Sequence, residues 1–575
     1  MKSKFYFLII IIIIHIFIPV SVFAQFSYKW AFTLGDEFTD AVYGMTIDTD
    51  GDIYLVGTNS AAFDFDPGQG ISLPNKTSSS NLFFAKYTKE GELVFVKSLG
   101  TEMYFEFGIR IAVDAFKNIF IAGLIGNNAD MDPGPGESII EVDEYVDAFV
   151  AKYDSIGEYI FSFNIKTEYA GSFIDIDKNN NLFVYGEFSS TNDFDPGAGE
   201  YILDGGDRKP YLARYSDDGD FIYAIAFDTT QSNNEYSQMV ITDVATDASA
   251  ATYITGYFTG GIDFDPGQAV FPLISVSYSL FIAKYDAQGH FVFVKHLAAT
   301  LEDLVFAPPR IELDEDKNIY IASSYLGTID FDPGPDSMTY TSSSGYDVFF
   351  AKYDASGNFI YVKRLEGTGE FDFVSELKLG ENNNIYLTGS FNGANDFDPG
   401  TGTAIHSVSE YADMFLAKYD NAGNYLSSIS TGGGFQDFPR GMALDEEGNV
   451  YIGGEFYEEF DPDPIGQDLY YTNGYEDMFL VKYGQTLVPV SNPEVYKGAL
   501  QVAPNPGTGL FYITLPTAEG RISIRVADLN GRDVAGQCTF SGTVVTVDIR
   551  HLPAGIYMAI ISTDLGQQVV KLVKG

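Results

Sequence analysis

Seven short acidic loops hold the residue pairs in this chain whose types and spacing could do chemistry. They read Asp64-Phe65-Asp66-Pro67, Asp130-Met131-Asp132-Pro133, Asp193-Phe194-Asp195-Pro196, Asp263-Phe264-Asp265-Pro266, Asp330-Phe331-Asp332-Pro333 and Asp396-Phe397-Asp398-Pro399, with a worn seventh copy, Glu459-Phe460-Asp461-Pro462. Side chains alternate along extended backbone, so each loop sends its two carboxylates to one side and its Phe or Met to the other. Two acids so placed, with loop carbonyls and water, form a hard-oxygen site for Ca²⁺, which would relieve their mutual repulsion. The same residues also make a metal-free turn, in which Asp oxygens accept backbone N–H groups, Pro-Gly sets the bend and Phe packs between structural units. An EF-hand loop supplies ligands at more positions than these loops do. All fourteen acids remain calcium candidates, and no other cofactor is indicated.

Repetition argues against catalysis, because chemistry needs one asymmetric constellation and seven copies of a pair suit a scaffold. Carboxylate pairs can nonetheless act as general acid and base in glycoside cleavage, which keeps a polysaccharide hydrolase or lyase as the alternative. The five histidines include His290, His296, His406 and His551, none in a His-Glu-x-x-His pattern, and there is no Gly-x-Ser-x-Gly elbow or phosphate-binding glycine loop. Trp30 is the only tryptophan, whereas 39 tyrosines leave Tyr-based stacking of a sugar open.

The elements that position these loops are legible from the repeat. The second acids stand at 66, 132, 195, 265, 332, 398 and 461, a period of 63 to 70 residues. Each unit holds four short segments rich in β-branched and aromatic residues and bounded by turn residues. In the first unit strand A is Met45-Thr46-Ile47-Asp48 and strand B is Ile53-Tyr54-Leu55-Val56-Gly57. After the acidic loop, strand C is Leu82-Phe83-Phe84-Ala85-Lys86-Tyr87 and strand D is Leu93-Val94-Phe95-Val96-Lys97. Acids close strand A at Asp48, Asp114, Asp177, Asp247, Asp314 and Asp445, as turn caps, and Gly380 breaks the set in unit six. The Lys or Arg of each strand C is expected to bridge a neighbouring acid.

Four-stranded units repeated radially make a β-propeller. The seventh unit stops after strand C at Tyr483, and an orphan D-like strand, Tyr28 to Phe32, opens the chain. The expectation is an all-β seven-bladed propeller with four-stranded blades, its last blade closed by the N-terminal strand, over residues 25–487. In the usual propeller arrangement the B–C loops share a face with the D–A loops, so the acids would form a ring there.

Ahead of the array, Lys2 and Lys4, an apolar run to Val20 and Val22-Phe23-Ala24 make residues 1–24 a signal peptide, with an uncleaved anchor as the alternative. No other segment could span a bilayer. Cys538 is the sole cysteine, so burial rather than a disulfide must hold the fold. The formal net charge of −47, from 80 Asp+Glu against 33 Lys+Arg, argues against nucleic acid and anionic membrane surfaces as partners. Nearly all that acidity lies in the array. Residues 488–496 read as a Pro-containing linker, and residues 497–575, with short strands between Gly and Asn turns, suit a small Ig-like β-sandwich.

Stretches such as Asp147-Ala148-Phe149-Val150-Ala151-Lys152-Tyr153-Asp154-Ser155-Ile156-Gly157, and Asp347 to Gly357, resemble the bacterial β-propeller repeats of pattern Asp-x-Phe-x-Ala-Lys-Tyr-Asp-x-x-Gly. That resemblance implies fold more than activity. In the tail, Val502-Ala503-Pro504-Asn505-Pro506-Gly507, Asp528-Leu529-Asn530-Gly531-Arg532, Leu552-Pro553-Ala554-Gly555-Ile556-Tyr557 and Lys571-Leu572-Val573-Lys574 are similar to the C-terminal sorting domain of type IX secretion cargo in Bacteroidetes-type bacteria, although Ala503 stands where an aromatic is common. It implies recognition by that machinery, export across the outer membrane, removal of the domain, and release or attachment to surface lipopolysaccharide. The expected function is thus a secreted or cell-surface, non-catalytic interaction protein whose ligand is a protein or glycan. The alternatives are the polysaccharide enzyme and a structural surface-layer component.

Overall fold

The computed structural model describes residues 22–59, 63–74, 81–99, 109–142, 146–167, 172–177, 180–206, 208–229, 237–267, 269–299, 308–343, 345–408, 411–463 and 468–489, and in the tail 501–503, 507–514, 522–527, 537–541, 544–553, 555–563 and 566–574. The signal-peptide reading of residues 1–24 falls mostly outside these, as does most of the 488–496 linker. No helix among the described residues is long and apolar enough to cross a membrane. The only helical turn among them is Glu381–Asn383.

Seven antiparallel sheets follow one another in order A-B-C-D. Blade 1 is Ala41–Ile47, Ile53–Asn59, Asn81–Tyr87 and Leu93–Leu99; blade 2 is Arg110–Val113, Ile119–Ile125, Val146–Tyr153 and Tyr159–Thr167. Blade 3 is Ser172–Ile176, Leu182–Phe188, Lys209–Tyr215 and Phe221–Ala226; blade 4 is Gln238–Thr246, Thr252–Asp263, Pro272–Tyr285 and Phe291–Leu297. Blade 5 is Arg310–Leu313, Ile319–Tyr325, Asp347–Tyr353 and Phe359–Gly367; blade 6 is Phe373–Leu379, Ile385–Phe391, Asp413–Tyr419 and Tyr425–Thr431. Blade 7 contributes Asp437–Leu444, Val450–Phe456 and Asp477–Pro489, and Val22–Leu34 pairs beside the last of these as its fourth strand. The N-terminal strand therefore closes the ring, which leaves no blade with an unpaired C strand.

Strands B and C are apolar on both faces because each is packed between neighbouring blades. Ile119–Ile125 and Val146–Tyr153 are buried at every position. Strand D is the outer, less buried strand: in Leu93–Leu99 only the last two residues are buried. One core cluster fills each junction between blades. Val56, Leu82 and Phe84 of blade 1 meet Ile111, Ile121 and Phe149 of blade 2, and Ile53 and Leu55 meet Tyr451 and Leu480 of blade 7 across the closure.

The turns explain the repeated Asp-x-x-Gly. Asp154 accepts the N–H groups of Ile156 and Glu158, and Gly157 takes φ 80°, a left-handed conformation that suits glycine. At the A–B turns Asp48 accepts Asp50 N–H and Asp52 N–H at 2.9 and 3.1 Å, and the Tyr54 hydroxyl at 3.0 Å. Lys86, from strand C, lies 3.5 Å from the same carboxylate and 4.9 Å from the centre of the Tyr54 ring. Equivalent contacts recur at Asp177 with Arg214 and at Asp314 with Lys352.

One compact unit spans Ala24–Thr486, and Leu487–Gly575 belongs to a second. The second has two sheets. One orders Gln501–Ala503, Leu510–Thr514, Val544–Asp548 and Gln537–Ser541; the other orders Ile522–Ala527, Gly555–Thr563 and Gly566–Lys574. Phe511, Ile513, Val545 and Val547 from the first pack with Val526, Tyr557, Ala559 and Leu572 from the second, which makes a β-sandwich.

Candidate binding site in the central channel

The acidic loops are built from backbone hydrogen bonds. The first acid accepts two N–H groups in six of the seven: Asp64 from Asp66 and Ser72, Asp130 from Asp132 and Ser138, Asp193 from Asp195 and Tyr201, Asp263 from Asp265 and Phe271, Asp330 from Asp332 and Met338, and Asp396 from Asp398 and Ala404, all at 2.7–3.2 Å. The second acid accepts the glycine N–H two residues on, as Asp66, Asp132, Asp195, Asp265, Asp332 and Asp398 do from Gly68, Gly134, Gly197, Gly267, Gly334 and Gly400. In the worn copy Asp461 accepts Asp463 N–H at 3.0 Å, and Glu459 pairs through its backbone with Tyr471. A Cβ on Gly70, Gly136, Gly199 or Gly402 would overlap the second carboxylate, which accounts for the further glycine in those four loops. Among the described residues no group of three or more His, Cys, Asp or Glu converges as a metal cage would.

The acids do not gather into a ring on the face where strand C begins. Each loop folds back along the flank of its blade. The tyrosine that ends strand C donates to the carbonyl of the loop aromatic, as in Tyr87 to Phe65 and Tyr285 to Phe264, and a Cβ on Gly134 would come within 3.9 Å of Glu158 in the C–D turn. In blades 4 and 6 the loop also pairs with the end of the preceding blade's outer strand or the chain just beyond it: Asp396 opposes Glu366, and Asp263 opposes Asp228. An open D-strand edge attracts a pairing partner, and the next blade's loop supplies one. Phe65, Met131, Phe194, Phe264, Phe331, Phe397 and Phe460 are all buried.

The asymmetric constellation lies in the central channel, a cavity of about 690 Å³ walled by the A strands. Side-chain alternation presents two layers to it. Nearer the capping acids stand Thr46, Ala112, Asp175, Ala245, Glu312, Lys378 and Ala443, one per blade; two residues earlier, Arg110, Asp243, Arg310 and Glu376 stand in blades 2, 4, 5 and 6, with Gly44 and Gly441 in blades 1 and 7. Charge is thus confined to blades 2–6, and blades 7 and 1 line the cavity without charge, through Met45, Thr46, Ile47, Met442, Ala443 and Leu444.

Arg310 bridges Glu376 at 3.3 Å and donates from Nε to Ser375 O at 2.8 Å. Lys378 bridges Glu312 at 2.9 Å, and Arg110 donates to Tyr43 O at 3.0 Å. Asp243 accepts Ile311 N–H at 2.9 Å. Asp175 accepts only its neighbour Ile176 N–H, at 2.8 Å, and no cation among the described residues lies within bridging distance. Burial, helped by the charge of Asp243, pushes the Asp175 carboxyl up to about 8. Burial also raises Asp243, to about 6, against the pull of Arg310. The channel therefore offers a mix of fixed cations, paired anions and one neutral carboxyl able both to donate and to accept. Its volume suits a ligand of a few sugar rings or an inserted side chain. Among the described residues no histidine or cysteine lines it. A signal for these residues was present in the repeat: the position two before the strand A turn varies in charge and size, while its neighbours are apolar in every blade except for Thr246 in blade 4.

Comparison with known proteins assigns the tail. Residues 501–575 match the secretion system C-terminal sorting domain. Over 435 residues, 61% of this chain, the sequence is 22% identical to an uncharacterised WD repeat-containing protein of Acanthamoeba polyphaga mimivirus, and over 174 residues, 30% of the chain, 22% identical to a regulatory protein of Caulobacter vibrioides. The chain spans 30% and 18% of the lengths of those two relatives. Among solved structures it is similar to a protein of unknown function from Dyadobacter fermentans, at 10% identity and TM-score 0.33, covering 80% of this chain and all of that one. A protein of unknown function from Bacteroides thetaiotaomicron is similar at 10% identity and TM-score 0.25, covering 80% and 98%.

Proposed function

We propose that this chain is a non-catalytic binding propeller that holds a glycan or a protein segment at its central channel. The sorting domain implies export by the type IX machinery across the outer membrane, to the cell surface or the extracellular space. A leader cleaved after Ala24 would first deliver the chain to the periplasm. The observation that carries the binding reading is the one-sided channel wall. Five blades share both their loop and their turn chemistry, yet Arg110, Asp175, Asp243, Arg310, Glu312, Glu376 and Lys378 break the symmetry at one place. A saccharide presents hydroxyls that both donate and accept, which a mixed wall of this kind can satisfy.

A second reading draws on the pair Asp175 and Asp243. Both carboxyls are raised, one more than the other, as an acid and base pair for polysaccharide cleavage would require. Titration of the purified chain with oligosaccharides and with cell-surface proteins separates the readings. In the binding case Arg110→Ala and Asp175→Asn each weaken binding at least tenfold, substitutions in the acidic loops leave it unchanged, and no bond in the ligand is cleaved. Product formation lost in Asp175→Asn would establish the enzyme instead. Concentration-dependent self-association with no ligand in either panel would point to a surface-layer component.

A further inference from the structure

Gly432-Gly433-Gly434 joins strand D of blade 6 to strand A of blade 7, and the carboxylates of Asp413 and Asp437 close on its first glycine, with Glu459 beside its last. A Cβ on Gly432 would stand 2.5 Å from Asp437 Oδ2 and 2.6 Å from Asp413 Oδ1, and one on Gly434 would stand 3.0 Å from Glu459 Oε1. Asp437 is 0% exposed. Its Oδ2 accepts Gly433 N–H at 3.1 Å, but its Oδ1, and Oδ1 of Asp413, are buried with no hydrogen-bond partner. Both carboxylates reach the same glycine, and acid oxygens buried there without donors are costly if left bare.

The equivalent junction one blade earlier shows what is missing. There Asp347 accepts Ser343 N–H at 2.9 Å and its hydroxyl at 3.0 Å, while Asp372 accepts Asn395 Nδ2 at 2.7 Å and Asn392 N–H at 3.2 Å. Asn395 precedes the first acid of its loop. The residue in that place in blade 7 is Glu458, which has no proton to give. Glu458 thus stands where blade 6 has a donor, at the junction where two carboxylate oxygens stay unpaired.

We propose that the blade 6–7 junction binds one hard divalent cation, of the Ca²⁺ class, between the carboxylates of Asp413 and Asp437, with Glu459 at its rim. The side-chain donors are all oxygen, with no His or Cys, which selects Ca²⁺ over zinc or copper. One shared proton would neutralise a single charge of the pair, whereas a divalent ion neutralises both. Gly434 is exposed and side-chain-free, so the ion has a short path from solvent. The site belongs to one junction, and it differs in stoichiometry from a set of seven loop sites.

The test is calorimetric titration of Ca²⁺ into the chelator-treated full chain, with thermal melts in Ca²⁺ and in chelator. The expected result is one ion per chain and a higher melting temperature in Ca²⁺. Asp437→Asn and Asp413→Asn should each weaken binding at least tenfold and remove the Ca²⁺-dependent shift, while melting in chelator no lower than the unsubstituted chain, because an amide can donate to the remaining carboxylate. Glu459→Gln should weaken binding only a few-fold. No heat from the unsubstituted chain overturns the proposal by itself, as does a stoichiometry near seven or binding unchanged in both Asn variants.

Discussion

The hydroxyl of Tyr353, the last residue of strand C in blade 5, donates to the carbonyl oxygen of Phe331 in the acidic loop at 3.0 Å, and both residues are fully buried. The bond fastens the folded-back loop to its blade, and Tyr153 makes the same bond to Met131, Tyr215 to Phe194, Tyr419 to Phe397 and, in blade 7, Tyr483 to Pro462. Tyr353→Phe keeps the ring but leaves a buried carbonyl without a donor. Chemical denaturation should report a loss of about 1–2 kcal/mol.

Asp263 is 8% exposed and accepts Asp265 N–H at 3.1 Å and Phe271 N–H at 2.8 Å. Asp263→Ala removes the acceptor for both and should cost about 1–3 kcal/mol. Asp263→Asn retains an acceptor oxygen and should cost less than half as much, in the presence or absence of Ca²⁺. Calcium-dependent stability that vanished in Asp263→Asn would make this loop a metal site and its turn role secondary.

Lys418 stands where blade 6 has Gly380 in place of the capping acid. It donates to Gln485 Oε1 at 2.8 Å, and burial lowers its ammonium to about 8. Between pH 8 and 10.5 the unfolded chain holds a proton here that the folded chain has released, so this group makes stability rise with pH across that interval. Lys418→Met should stabilise the propeller at pH 7 by about 1–2 kcal/mol and flatten the rise. Thermal melts at pH 7, 8.5 and 10 test both effects.

Asp175 has the opposite sign. Its folded carboxyl, raised to about 8, keeps a proton that the unfolded chain loses near pH 4, so its contribution to stability falls as pH climbs from 4 to 8. Asp175→Asn should gain on the order of 1–3 kcal/mol at pH 8.5 and change little at pH 4.5. Equal effects at the two pH values would mean that the carboxyl titrates normally in the channel.

Much of the architecture was legible residue by residue. The residue pattern places strand B at Ile53 to Gly57, and it runs Ile53–Asn59; it places strand C at Leu82 to Tyr87, which runs Asn81–Tyr87. The orphan Tyr28 to Phe32 segment lies in the strand that closes blade 7. The Asp48 and Asp114 turn caps also stand as read, since an Asp bonding to N–H groups two and four residues on is a local event. The acidic loops were legible as turns but not as blade-to-blade connectors. Their course depends on the D-strand edge of a different blade, and Asp396 opposite Glu366 is a pairing that no local pattern encodes.

By itself, then, the sequence determined the strand type, the number of blades, the ring closure, the acidity of the array and the sorting domain at its end, because each rests on alternation, period or a contiguous motif. Only the tertiary structure decided where the asymmetry lies. Asp175, Asp243, Arg310 and Lys378 come from four different blades, and along the chain each is an ordinary polar residue in a short strand. Closing the ring turns those positions inward and removes most of their water, so burial raises Asp175 and Asp243 and aligns Glu376 with Arg310. The same closure brings Asp413 and Asp437 together beneath a run of glycines.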